Sequence, residues 1–536
     1  MGAIGLRRSR FAVVAVAFGL LLAACKGSSP QGNQSVSASQ TFTYDTWSQV
    51  MDDGWDPSSD YSNDIIAMSN VYETLTRYNP ATKQAEPLLA TSWAPSSDAT
   101  VWTFKLRPDV YFHTGRLMTA QAAAAAIERT IKLGQGAAYI WDAVHSIDTP
   151  DSSSLVFHLK YPAPLDLIAS ADYAAYIFDT KAAGGEDLAK WFNTPHDSGT
   201  GPYTVERWNK GQEIEVVLTA FPKYWAGWSG AHYSRVVFRV VPSSTTAAQL
   251  LRAGQVSFVQ QMNPSLWGSF KDDPNVQLVS SPGWQNLFGQ MNTQTGPLSS
   301  LAVRQAVAYA IDYPGIVAAL RGAAALSSGV VPPGLWGHFD DLPNYTYDPQ
   351  KAQELLQQAG YGPGGKPLNL SLTYAQGESN EEIVATLIKS NLAKLGVTVD
   401  LQGLQWPSQW ARAKSSDPSQ RQDIFVEYWW PDYADPYSWF ISMFHSEPRP
   451  FYNLSYYSNP RLDALIDQVE SISATDRAKA IEMYREMQLI VLHDAAVLTL
   501  FDLNYEYALL KSVGGFTVNP AYPNVVFVYD LSPQAS

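Results

Sequence analysis

The residue types best suited to chemistry in this chain stand together in one segment, Asp423-Ile-Phe-Val-Glu-Tyr-Trp-Trp-Pro-Asp-Tyr-Ala-Asp-Pro436. Ile424 to Tyr428 has strand character, and Pro431 stops the ladder because it has no N–H to donate. Asp432 therefore sits just past a strand end, where α/β lobes commonly present groups to ligands. A carboxylate among aromatic rings is suited to a free peptide. Such a solute brings an ammonium that needs an acid, and amides that cost about 1–3 kcal/mol each if left unpaired. The competing reading is structural, since Asp432 and Asp435 can both cap the turn before Pro436. Asp432 is assigned to the ligand and Asp435 to the turn.

Other reactive patterns are missing. The eight histidines form no H-x-x-x-H or E-x-x-H pair, so no metal site is expected. There is no G-x-S-x-G elbow and no S-x-x-K set with its partners. The Gly-rich stretch Gly360–Lys366 follows a helix and lacks the Ser/Thr of a phosphate loop, so it reads as a turn. With 50 Asp and Glu residues, paired carboxylates carry no information about a glycosidase. No enzyme activity and no cofactor are expected. A net charge of −14 without a compensating basic stripe also excludes nucleic acid as a partner.

The N-terminus carries a second informative residue. Arg7, Arg8 and Arg10 precede an apolar run of twelve residues, Phe11 to Leu22, too short for a stable membrane span. The run ends in Leu22-Ala-Ala-Cys25, which resembles the lipobox of bacterial lipoproteins, and Cys25 is the only cysteine. That resemblance implies a signal peptide over residues 1–24 and a diacylated Cys25 that holds the protein at the outer face of the cell membrane. Residues 25–40 are polar and rich in Ser, Gly and Gln, a composition that cannot bury enough surface to fold and reads as a tether. Arg7-Arg8 matches a twin-arginine signal only in part, so the export route stays open.

The elements that must position these groups mix strands and helices from Thr41 onward, which favours α/β lobes. Trp102–Arg107 and Leu155–Lys160 alternate as strands. Thr119 to Leu133 reads as a helix with a Thr N-cap. Leu301–Ala310, Pro349–Ala359 (closed by Gly360), Leu462–Val469 and Ala474–His493 also read as helices. A chain of 536 residues is too long for one core, so two or three lobes are expected. Its aromatic content of 12% suits both large cores and a cleft lined with flat contact surfaces.

Several blocks, in order, resemble the peptide/nickel-type solute-binding proteins of ABC importers. They are Trp55-Asp-Pro57, Val71-Tyr-Glu-Thr-Leu75, Tyr78-Asn-Pro80, Leu89-Ala-Thr-Ser-Trp93, Trp102–Arg107, Phe112-His-Thr-Gly115 and Met118-Thr-Ala120, then Gly199-Thr-Gly-Pro-Tyr203, Val303–Asp312, Tyr347–Ala352 and Trp429–Pro436. The resemblance implies a two-lobed α/β binding protein with an extra inserted lobe and a ligand cleft between the lobes. The first lobe would comprise residues 41–85, 200–282 and 500–536, the insertion 86–199, and the third lobe 283–499. Hinge connections would lie near residues 282 and 500, the first supported by the Ser280-Ser-Pro-Gly283 punctuation.

In that family the Asp of the motif pairs with the peptide amine and the preceding strand residues bond its backbone. Those positions correspond here to Asp432 and to Tyr428, Trp429 and Trp430. Tyr61 would stand on the opposing wall, with Trp284 and Tyr139 as further candidates. Some members carry an Arg for the ligand carboxylate where this chain has Val426, and Arg412 and Arg421 are its nearest substitutes. The implied function is a monomeric, membrane-tethered protein that closes on a peptide and hands it to a permease. An oligosaccharide is the alternative solute.

Overall fold

Alternation builds the smaller sheet. In the strand Val101–Leu106 every second side chain, Trp102, Phe104 and Leu106, is buried, as a pleated ribbon with one covered face requires. It pairs antiparallel with Ala90–Pro95 and Ser154–Leu159, and the latter pairs with Val144–Asp151. The helix Ala120–Leu133 packs on this sheet through Ala123, Ala124 and Ile127. Thr119 accepts a hydrogen bond from the Ala122 N–H at its start, and Gly134 ends it at φ 59°, where a Cβ would be strained. The coordinates are a computed structural model that describes residues 41–534 except 49, 52, 53 and 363. The signal segment, Cys25 and the tether lie outside the described residues. No helix among the described residues is long and apolar enough to cross a membrane.

The larger sheet has 11 strands. On one side Val397–Leu404, Leu368–Ala375 and Ile424–Trp429 run parallel to one another. On the other, Thr41–Thr46 runs parallel to Arg235–Val240 and Phe258–Val259, followed outward by Ile214–Ala220 and Tyr203–Trp208. Two long antiparallel strands, Val276–Met291 and Val497–Leu510, join the halves. Pro282-Gly283, where the punctuation suggested a hinge, lies inside the first of these. The strand continues, and its pairing with Val497–Leu510 shifts register between Pro282 and Asn286. A bulge of this kind admits a proline into a sheet and bends it.

Several of the sequence blocks prove to be internal braces. Arg129 makes a bidentate pair with Asp56, both N–O distances being 2.6 Å. Buried Glu73 accepts from Thr200 at 2.8 Å, Tyr224 at 2.9 Å and Trp225 at 3.1 Å. Gly199 and Gly201 let the chain pass the Val71 carbonyl; a Cβ on Gly199 would stand 2.0 Å from that oxygen. Arg304 spends its guanidinium on the carbonyls of Leu298, Ser299, Asp494 and Ala495 at 2.8–3.2 Å.

Candidate ligand-binding site

The carboxyl ends of the parallel strands in both halves of the large sheet converge on one cavity. Trp47 follows Thr41–Thr46, Gln260 follows Phe258–Val259, Glu378 follows Leu368–Ala375, Trp406 follows Val397–Leu404 and Asp432 follows Ile424–Trp429. The middle of the two joining strands contributes Gln285 and Leu503 to Tyr507. The space open to the centres of water molecules is about 150 Å³, on the order of ten times what one water needs. A cavity at the carboxyl edge of parallel strands is where open α/β sheets bind ligands, because the loops there are free to vary.

The segment singled out by sequence lies on its wall. Tyr428, Trp429, Trp430 and Asp432 all line the cavity, as does Tyr61 from the other side. Tyr61 meets Tyr452 edge to face at 6.0 Å, and Tyr452 meets Trp429 the same way at 5.4 Å, so the two walls join through three rings. The Trp430 indole donates to the Tyr173 hydroxyl at 2.8 Å, and Tyr173 donates to the Ser62 carbonyl at 2.8 Å.

Asp432 presents its carboxylate to this space. Its Oδ2 accepts from the Tyr139 hydroxyl, and its backbone N–H meets Ser438 Oγ at 3.4 Å. Burial pushes the carboxyl up to about 6, against the lowering effect of the Tyr139 bond. No Lys, Arg or His lines the cavity among the described residues. Tyr139 thus supports Asp432 without itself lining the space. Asp435 is buried in the turn, as expected. Its Oδ1 accepts from the Tyr437 N–H and the Tyr484 hydroxyl, both at 2.9 Å.

Trp284 is not brought to the cavity. It is buried and packs against Tyr78 at 5.5 Å, while its neighbour Gln285 lines the site. Adjacent strand residues point to opposite faces, and sequence did not fix which face position 284 would take across the bulge. Arg412 and Arg421 are also elsewhere. Arg412 is held by the Gln420 carbonyl at 3.1 Å, and Arg421 by the Ser415 carbonyl at 2.9 Å and Gln294 at 2.7 Å.

Sequence reasoning missed Glu378, Glu381 and Glu427, which are buried and line the cavity. Glu427 had a signal, being an acid inside an otherwise apolar strand. Glu378 and Glu381 read locally as an ordinary helix start, since Glu378 caps the helix Ser379–Ala393. Among the described residues no three His, Cys, Asp or Glu groups are placed to hold a metal ion.

Comparison with known proteins places this architecture. Residues 84–451 match the model of the "Bacterial extracellular solute-binding proteins, family 5 Middle". The chain is 29% identical over 479 residues to the Escherichia coli K12 protein named "Probable D,D-dipeptide-binding periplasmic protein DdpA", covering 88% of this chain and 90% of that one. It is 28% identical over 515 residues to heme-binding protein A of Haemophilus influenzae, covering 89% and 90%. The periplasmic binding protein DppA of Helicobacter pylori, solved with the peptide STSA, shares the fold with a TM-score of 0.82. At 23% identity it covers 92% of this chain and 98% of that one. The chain therefore belongs to the bacterial extracellular solute-binding proteins of family 5.

Proposed function

We propose that this protein captures short peptides by their α-ammonium and delivers them to an ABC importer. The carrying observation is Asp432, a carboxylate in a cavity that contains no cation among the described residues. Tyr139 holds that carboxylate in place, and Trp429, Trp430 and Tyr61 supply flat walls that tolerate varied side chains. The peptide-binding names among the relatives support the same class of solute. Segments 41–85 with 200–282 and 500–536, 86–199, and 283–499 act as lobes that close on the ligand, and the closed form is what the permease reads. Cys25 carries the lipid that keeps this monomer at the outer face of the cell membrane.

Calorimetric titration with a di- and tripeptide library, and separately with cello- and xylo-oligosaccharides, tests the reading. Binding is expected from peptides alone; sugar binding without peptide binding overturns it. For the anchor, Cys25→Ser is expected to move the protein out of the membrane fraction. A variant that stays there with diacylglyceryl lipid attached contradicts the assignment.

A further inference from the structure

Glu378, Glu381 and Glu427 form an acidic wall that capture of an α-ammonium leaves unused. They line the cavity at 2%, 3% and 2% exposure. Neutral donors meet them only in part. Glu427 accepts from Gln290, Glu378 accepts from Gln261 and the Glu381 N–H, and Glu381 accepts from the Ala375 N–H at 2.7 Å. No basic side chain among the described residues lines the cavity to balance them.

A separate observation points the same way. Gln260 and Gln285, 5% and 4% exposed, each turn a side-chain oxygen without a hydrogen-bond partner into the residues around this cavity. A buried acceptor left bare carries a desolvation cost that a ligand donor removes. The indole N–H groups of Trp410 and Trp429 are unpartnered too, and can meet ligand carbonyls or a carboxylate. The three acids are not grouped to hold a metal ion, which leaves an organic cation with several N–H donors as the fitting partner.

We infer that Glu378, Glu381 and Glu427 make a second cation subsite, and that the preferred solute is a short peptide with a basic side chain in addition to its α-ammonium. This rests on the proposed function, because Asp432 takes the first ammonium. Glu427, five residues before Asp432, lines the same cavity, so one enclosed ligand can face both carboxyls. Burial raises all three glutamates, Glu427 to about 8, so an entering ammonium displaces protons from them.

The test is calorimetric titration of the full chain with Ala-Lys, with Ala-norleucine, which keeps the side-chain length without the charge, and with Ala-Glu. Ala-Lys is expected to bind at least about tenfold tighter than Ala-norleucine, with Ala-Glu weakest. Titrations in two buffers of different ionisation enthalpy are expected to show protons released with Ala-Lys and fewer with Ala-norleucine. In Glu381→Gln and in Glu427→Gln, the Ala-Lys to Ala-norleucine ratio is expected to fall to about threefold or less. Equal affinities in the wild type overturn the subsite and leave peptide capture standing. A ratio unchanged in both variants removes these glutamates from it. Failure of all three peptides to bind overturns the peptide reading and this inference with it.

Discussion

At the scale of single residues, Asp432 faces the cavity and Asp435, three positions on, is held inside the turn. On the proposed function, Asp432→Asn keeps the shape and removes the charge that would meet the ammonium. Loss of one partner of a buried ion pair costs about 3–5 kcal/mol; Asp432 is only partly buried, so the lower end, roughly 150-fold in affinity, is expected. N-acetylation of the peptide should cost the wild type a similar amount and the variant little, and equal losses in both would show that the amine is read elsewhere. Asp435→Ala removes the acceptor of the Tyr437 N–H and the Tyr484 hydroxyl. It should lower the melting temperature while shifting the affinity of the folded protein far less. The carboxyl of Asp432, pushed up to about 6, also gives the pH dependence a sign. On the proposed function, protonation as pH falls below 6 would remove the partner of the ammonium, so affinity for a peptide with an uncharged side chain should weaken by up to about tenfold per unit. Tyr139→Phe removes the bond that favours the carboxylate and should move that midpoint upward. The place of Asp432 beyond a strand end, on the cavity wall, was legible in sequence because Pro431 stops the ladder. Glu378 and Glu381 were not, because only the assembled sheet sets them on the same cavity as Glu427.

At the scale of elements, local rules served where an element is self-contained. The helix Ala120–Leu133 follows its Thr cap and Gly stop, and Leu301–Ala310 has the predicted bounds. Of the last helical pair, the first extends beyond its apolar run to Pro460–Thr475, with an Asn459 cap and Pro460 in its first turn, and it takes up Ala474 and Thr475; the second starts only at Arg477, after the Asp476 cap, and ends at His493 as expected. At Pro282-Gly283, cross-strand pairing with Val497–Leu510 carries the strand through two breakers with a shift of register. Gly199 tests what the sequence blocks do when they are not binding ligand. A Cβ there meets the Val71 carbonyl oxygen at 2.0 Å, backbone against backbone, with no side chain to yield. Gly199→Ala should therefore destabilise the fold by about 1–3 kcal/mol or more. A melting temperature within a degree of wild type would show that the loop can move aside.

For the molecule as a whole, two contacts tie distant segments across the cavity: Tyr139 to Asp432, and Trp430 through Tyr173 to Ser62. Neither is strong enough alone to hold large lobes shut, since a neutral hydrogen bond contributes only about 0.5–1.5 kcal/mol net and one to a carboxylate about 1.5–3 kcal/mol. A ligand that touches both walls adds the difference. Small-angle scattering should accordingly show a smaller radius of gyration with saturating peptide than without. The Tyr139→Phe/Trp430→Phe double variant should need more ligand for the same contraction. An unchanged radius on peptide binding would argue against closure. The lobed architecture was legible only through the ordered blocks that resemble a family, because no local signal says that residues 41–46 lie beside residues 235–240.

The strand Val497–Leu510 has a further consequence for how the protein is made. Among the described strands it alone pairs with both Phe258–Val259 and the other joining strand, Val276–Met291. A ribosome that has released the first 490 residues has therefore made every other main strand, yet the halves still lack their common seam. The unfinished sheet presents two open inner edges, and contacts between residues hundreds of positions apart form slowly in any case. The larger sheet is therefore closed only by one of the last segments of the chain to be made.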